Sequence, residues 1–304
     1  MENSSLMEND KLNNALAQIR DEIDAIDDQL IMLLQARCTY VEQVGELKSS
    51  SGLEGSFIRP KRESDMMKMV TERFADSPFP AETAAHMWRL IIGASLSMES
   101  PINTAVHCPD RSLVPYFMAR EYFGSIIPSA VCENAAQVVV ACEENPHTVG
   151  VVNLQDTSSI PAWWLQVALS SQRLHIFTCV PFVQRLSGTA AKNPFLAVGQ
   201  VEPEETGDDI SYVAALFDYP HPENAASLVG EWLKSGEFRG VLCASSETTE
   251  ESWAGLIKLQ GYAGDSSSLF FELQQHLTQI SDGALSDLKF IGSHATPVLL
   301  EEEE

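Results

Sequence analysis

The sequence predicts a multidomain chain: an all-α N-terminal segment of three helices, then an α/β layer, then an α+β layer. Three observations carry this. A heptad stripe runs from Leu12 to Lys48. Charged helical composition gives way to mixed strand and helix patterns beyond Pro101. The region from Tyr212 to Ile291 reads strand, helix, strand, strand, helix, strand.

The first element is one long helix. Leu12, Leu16, Ile19, Ile23, Ile26, Leu30, Leu33, Tyr40, Val44 and Leu47 fall at alternating steps of four and three, and no Gly or Pro interrupts them before Gly45. At 1.5 Å per residue the helix is about 55 Å long, so its stripe calls for a partner helix or a second copy of the chain. One stripe position breaks the rule: Arg37 stands where an apolar residue belongs. A guanidinium inside a bundle needs an anion. Lys48 returns to within about 20° of the same face. From this stretch alone two readings stand side by side, an anion site and a structural or snorkelling arginine. Arg20 is a third cation, about 25 Å along the axis from Arg37. No small ligand reaches both on one helix, so Arg20 joins the same site only from the other end of an antiparallel copy.

The chain has 304 residues, with 19 Lys and Arg against 43 Asp and Glu, a net charge of -24. That balance argues against nucleic acid and anionic membranes as partners. It makes the gathering of Arg20, Arg37, Lys48, Arg59 and Arg62 the more telling, as a set that holds a small anion. Cys38, Cys108, Cys132, Cys142, Cys179 and Cys243 are scattered with no CxxC pair, which disfavours zinc and suits free thiols in a reducing cytoplasm. The polar start, Met1 to Asp10, has no secretory pattern, no apolar run is long enough to span a membrane, and Glu301 to Glu304 reads as a solvated acidic tail. His107, His147, His175, His221 and His294 are isolated and read as structural or surface residues.

After the Ser49-Ser50-Ser51-Gly52 break, Pro60 suits a helix first turn, and Lys61 to Phe74 follows as a helix with Met66, Met67, Val70 and Phe74 inward. Arg62 and Glu63 lie one turn ahead on that side. The third helix runs from Ala81 to Glu99, with Trp88, Ile91, Ile92, Ser95 and Glu99 on one face. Ser95 either serves a ligand or bonds back to its own helix. Glu99 either serves a ligand or is solvated, although a carboxylate at a helix C-terminus is disfavoured.

At this point the residues add up to a family. Ile19-Arg20-Asp21-Glu22-Ile23-Asp24-Ala25-Ile26-Asp27, Leu33-Leu34-Gln35-Ala36-Arg37, Val44-Gly45-Glu46-Leu47-Lys48, Arg62-Glu63 and Ile91-Ile92-Gly93-Ala94-Ser95-Leu96 closely resemble the all-helical chorismate mutases. The resemblance covers residues 10–100. It implies an intertwined helical homodimer whose two sites each draw on both chains. Arg20 of the partner copy, Arg37 and Ser95 would hold the substrate carboxylates. Lys48 would donate to the ether oxygen, Glu63 would accept from the ring hydroxyl, and Arg62 would line the pocket. Rearrangement of chorismate to prephenate needs no nucleophile, metal or cofactor. It needs the dianion folded into a chair and the charge growing on the ether oxygen met by a cation. Two departures matter. Arg59 stands where the family often has an acidic residue, and Glu99 where its second ether-oxygen donor is often Gln. With Glu99 in that place, turnover should fall as its carboxyl loses its proton.

Beyond Pro101, Ile102–His107 reads as a strand, Ser112–Phe123 as a helix, Gln137–Cys142 and Thr148–Leu154 as strands, 165–170 as a helix and Leu174–Cys179 as a strand. This layer resembles the first lobe of prephenate dehydratase. Cys108-Pro109-Asp110-Arg111-Ser112 stands at its Gly-Pro-Glu-Gly-Thr turn. Gly150-Val151-Val152-Asn153-Leu154-Gln155-Asp156-Thr157 stands at its Gly-Val-Val-Pro-Ile-Glu-Asn-Ser run, and Asn193-Pro194-Phe195-Leu196 at its Thr-Arg-Phe. The catalytic Thr-Arg pair is absent and the second lobe is missing, which implies a remnant without dehydratase activity.

The last region reads strand (Tyr212–Phe217), helix (Asn224–Lys234), strand (Gly240–Ala244), strand (Gly255–Gln260), helix (Ser267–Gln279) and strand (Leu288–Ile291), an order that suits a ferredoxin-like domain. With Phe290-Ile291-Gly292-Ser293 it resembles the amino-acid-binding ACT domain. The family's ligand turn is Asn224-Ala225-Ala226 here and its Glu-Ser-Arg-Pro motif is not recognisable. The expected domains are therefore 1–100 (mutase-like), 101–205 (truncated dehydratase-like) and 206–304 (ACT-like with the acidic tail). The whole resembles bifunctional chorismate mutase-prephenate dehydratases. The expected function is a cytoplasmic chorismate mutase without cofactor or metal, with an aromatic amino acid as the effector that an ACT-like domain implies. Its rivals are an isochorismate pyruvate lyase on the same scaffold, against which Arg62-Glu63 speaks, and a non-catalytic amino-acid sensor.

Overall fold

The computed structural model describes residues 2–50, 58–156, 159–171, 173–185, 194–218, 222–234, 238–249 and 252–301. The chain divides into two compact units, Met1–Leu53 and Glu54–Glu304.

The first unit is a single helix, α1 (Glu2–Ser50), longer at its N-terminus than its apolar stripe. The stripe stays exposed in the single chain, from 40% at Val44 to 68% at Tyr40. Ser51 and Gly52 of the expected break lie outside the described residues.

The second unit opens with α2 (Pro60–Arg73) and α3 (Ala81–Glu99). It continues as a strand-helix alternation: β1 (Asn103–His107), α4 (Val114–Phe123), β2 (Ser129–Cys132), α5 (Ala135–Glu144), β3 (Thr148–Asn153), α6 (Trp163–Leu169) and β4 (His175–Val180). Then come β5 (Val183–Arg185), β6 (Phe195–Gly199), β7 (Asp209–Asp218), α7 (Pro222–Lys234), β8 (Gly240–Thr249), β9 (Ser252–Gln260), α8 (Ser268–Ile280), β10 (Leu285–Ala295) and β11 (Val298–Leu300).

Nine strands form one sheet in the order β2-β1-β3-β6-β4-β10-β7-β9-β8, and β5 pairs with β11 beside it. β1 runs parallel to β2 and β3, whereas β6 is antiparallel to both its neighbours. From β7 to β10 the chain order is βαββαβ and the spatial order is β10-β7-β9-β8 with antiparallel neighbours, the ferredoxin-like arrangement expected.

The two halves of the sheet meet where β10 pairs in parallel with β4, Gly292 opposite Ile176. A Cβ on Gly292 would stand 2.1 Å from the Ile176 carbonyl oxygen, and its φ is +128°, so only glycine allows this approach. The strand β7 is buried on both faces. Tyr212 and Ala214 join the core shared with the helices and β1–β6, while Val213, Ala215 and Phe217 join a second core with Val229 of α7 and Leu273 of α8.

Three expectations need correction. Gln137–Cys142 is part of helix α5, not a strand. Its start is fixed by Asn134, whose side chain accepts from the Gln137 amide at 2.9 Å. Second, no packing boundary falls at residue 100 or 205. Met67, Ala85 and Leu96 of α2 and α3 share one core with Phe123, Trp163 and Tyr212, and the sheet passes through the expected junction of the last two domains. Third, the strands β2, β5, β6 and β11 went unread, being three to five residues long.

The inward face of α3 also differs. Ala85, Arg89, Gly93 and Leu96 are its buried line, while Trp88, Ile91, Ile92 and Glu99 are half-buried. A Cβ on Gly93 would stand 2.0 Å from the Phe123 carbonyl oxygen, so the missing side chain lets the end of α4 close against α3 there. That contact selects the face.

Candidate active site

Arg20, Arg37 and Lys48 all lie on the unbroken α1, Arg20 and Arg37 exposed and Lys48 half-buried. Seventeen positions separate Arg20 from Arg37, so they are about 25 Å apart along the axis. One chain does not bring them together.

Arg59, Arg62 and Glu63 cluster at the start of α2, where a groove is lined by Arg59, Lys61, Arg62, Met66, Met69 and Glu204. Arg62 is exposed. Arg59, expected to bind substrate, is engaged by Glu204. Its Nε donates to Glu204 Oε1 at 2.9 Å, and its Nη2 lies 2.7 Å from the same oxygen. Glu204 Oε2 accepts from the Lys61 amide at 3.1 Å. Arg59 is the N-cap residue of α2 and supplies no cap through its own side chain, so Glu204 supplies it from 143 residues away in sequence. Sequence reasoning missed Glu204, because a distant carboxylate leaves no local mark.

Glu63 is held from inside the fold. Arg89 Nη1 donates to Glu63 Oε2 at 2.7 Å, with side chains 6% and 14% exposed. Arg89 Nε donates to the Tyr122 carbonyl at 3.0 Å, and its guanidinium carbon lies 3.8 Å from the Tyr122 ring centroid. The Tyr122 hydroxyl lies 3.0 Å from Thr178 Oγ1. Burial pushes the Tyr122 phenol up to about 12 against the pull of Arg89, so it stays neutral. Arg89, too, was missed. Its one signal is a charge on the helix face that Ala85, Gly93 and Leu96 fill. Beside it lies a cavity of about 370 Å³ lined by Met67, Ala85, His86, Met118 and Phe182 among others.

Ser95 is buried, and its Oγ donates to the Ile91 carbonyl at 2.8 Å, the back-bonding alternative read from the sequence. Glu99 is half-buried at the end of α3.

In the α/β part of the second unit, Asp156 lies 3.8 Å from His107 at the C-terminal end of β1. His107 is buried, its two ring nitrogens take no hydrogen bond among the described residues, and burial pushes its pKa down. Burial also pushes the Cys142 and Cys179 thiols up to about 12, so they stay protonated and inert. Thr157, Asn193 and His221, which the sequence reading also used, lie outside the described residues, as does the side chain of Arg111. Among the described residues no three His, Cys, Asp or Glu side chains are grouped to hold a metal ion. None of the described helices is long and apolar enough to cross a membrane.

Residues 19–100 match the family model for chorismate mutase type II. The bifunctional chorismate mutase/prephenate dehydratase of Aquifex aeolicus is 30% identical over 145 residues, 47% of this chain and 39% of that protein. The protein of the same description from Stutzerimonas stutzeri is 27% identical over 143 residues, 45% and 39% of the two chains. The chain thus spans about two fifths of the length of these relatives. Among solved structures, prephenate dehydratase from Streptococcus mutans aligns with 64% of this chain and 98% of its own at 15% identity and a TM-score of 0.39. Prephenate dehydratase from Arthrobacter aurescens in complex with L-Phe aligns with 64% and 90% at 12% identity and 0.44. A chain titled GqqA, a novel type of quorum quenching acylase, aligns at 14% identity and 0.43 over 64% of this chain and 95% of its own. Scores this low identify neither a fold nor an activity. The chain therefore carries a type II chorismate mutase match over residues 19–100, within a sequence similar to bifunctional chorismate mutase/prephenate dehydratases.

Proposed function

We propose that the protein is a chorismate mutase acting as a homodimer in the cytoplasm, converting chorismate to prephenate without cofactor or metal. The single observation that carries the reading is the family match over residues 19–100, the stretch that contains Arg20, Arg37, Lys48, Arg62, Glu63 and Ser95 at the positions the resemblance assigns. Arg37 with Arg20 of the second copy clamps the two carboxylates, which supplies orientation. Lys48 donates to the ether oxygen as the C–O bond breaks, Glu99 stands at the place of the second donor, and Glu63 accepts from the ring hydroxyl. Arg59 and Arg62 border the entrance from the start of α2. The exposed stripe of α1 supports the dimer, since a second copy would cover it.

Residues 101–304 do not dehydrate prephenate in this reading. Pro194 stands at the catalytic arginine's place, and the nine residues 186–194 between β5 and β6 leave no length for another lobe. The ferredoxin-like half is retained as an aromatic amino-acid sensor.

The test is an assay of the pure full-length chain with chorismate, isochorismate and prephenate in turn, with and without phenylalanine or tyrosine. Prephenate from chorismate is the expected product. Pyruvate from isochorismate would favour the lyase, phenylpyruvate formed enzymatically from prephenate at neutral pH would refute the degenerate C-terminal half, and amino-acid binding without turnover would favour a sensor.

A further inference from the structure

The geometry points to Arg89 as a positioning residue for catalysis, acting through Glu63; this rests on Glu63 being the acceptor for the substrate hydroxyl. Arg89 is 5% exposed and anchored on two sides, by its Nε bond to the Tyr122 carbonyl and by its stacking on the Tyr122 ring. From that anchor Nη1 reaches Glu63 Oε2 at 2.7 Å.

The pairing is one-sided. A guanidinium and a carboxylate meeting for structure alone favour the two-bond fork. Here Arg89 Nη2 takes no partner, and among the described residues Glu63 Oε1 accepts no hydrogen bond. One carboxylate oxygen is fixed by Arg89 and the other is left to accept the substrate hydroxyl. Stability alone does not call for such a pair either, because well-packed apolar residues serve a buried site as well or better. A carboxylate that must be ionised and aimed does call for it.

The anchor is not part of the mutase match. Tyr122 lies on α4, and its hydroxyl meets Thr178 of β4. A line of contacts thus runs from Glu63 on α2 through Arg89 on α3 and Tyr122 on α4 into the sheet. The α/β half sets the aim of a residue in the segment before it.

The test is a double-mutant cycle on the full chain, reading kcat/KM for chorismate in wild type, Arg89→Met, Glu63→Gln and the double variant, with circular dichroism to confirm folding. Arg89→Met should lower kcat/KM about tenfold when Glu63 is present, and by about twofold or less in the Glu63→Gln background. An equal loss in both backgrounds means that Arg89 acts on the fold generally and overturns the inference. Arg89→Met leaves the Glu63 carboxylate without its partner; if it fails to fold, Arg89→Lys takes its place in the cycle under the same criterion. A wild type without chorismate turnover, or an active one indifferent to Glu63→Gln, overturns the reading of Glu63 and the inference with it.

Discussion

His294 shows what burial does to a single titratable group. It is fully enclosed beside Tyr212, whose hydroxyl lies 3.3 Å from its Nε2, and Nδ1 lies 2.8 Å from the Ala295 carbonyl. Burial pushes its pKa down to about 4. In the unfolded chain it titrates near the ordinary value of 6.5, so between pH 6.5 and 4 the unfolded state binds more protons. Stability is therefore complete above pH 6.5 and is lost as pH falls towards 4, by about 2 kcal/mol between pH 7 and 5. Urea melts at those two pH values should show the loss in wild type and a smaller one in His294→Gln. Glu99 bears on turnover rather than on stability in the proposed site. An ionised carboxylate would repel the growing charge on the ether oxygen, whereas the acid donates to it. Glu99→Gln keeps a neutral donor at that place, so it should raise kcat/KM for chorismate above the wild-type value. An unchanged kcat/KM would mean that Glu99 does not face the substrate.

At the scale of elements, α2 depends on a carboxylate it does not contain. Glu204 accepts from the Lys61 amide and pairs with Arg59, in place of the side-chain cap that Arg59 cannot give. Glu204→Ala should cost about 1 kcal/mol in urea unfolding, the usual worth of a lost cap; Arg59 is well exposed, so the ion pair adds little to that. Activity should fall with it, since Glu63 is in the first turn of the same helix. Elements with long periodic patterns were legible in the sequence: α1, α3, β3, β7 and α8 lie where the stripes and alternations put them. The helix α5 was not, because Val138-Val139-Val140 is a β-branched run whose period is ambiguous over six residues. Its decisive signal was Asn134 with Gln137 three residues on, a capping pattern that outweighs strand propensity. The cations and carboxylates of the candidate site were legible as types at spacings. Arg89 and Glu204 were not, since each acts on a helix distant from it in sequence.

At the scale of the whole molecule, the proposed mutase site needs two chains. Arg20 and Arg37 project from one rigid helix about 25 Å apart, and that helix carries an apolar stripe exposed throughout the single chain. Helix propensity alone holds such a helix weakly, so it gains most of its stability from whatever packs on the stripe. In the proposed dimer a second copy in antiparallel orientation would serve both needs, covering the stripe and bringing its Arg20 level with Arg37. Symmetry then gives two sites, each with Arg20 from one chain and Arg37 from the other. Arg20→Ala and Arg37→Ala should each be nearly inactive alone. In a heterodimer of the two, one site receives both intact arginines and the other neither. Random exchange makes half of all dimers mixed, so activity should return to roughly a quarter of wild type after mixing. If exchange is confirmed by mass spectrometry of tagged chains and no activity returns, Arg20 and Arg37 do not share a site across two chains, and the antiparallel dimer is wrong.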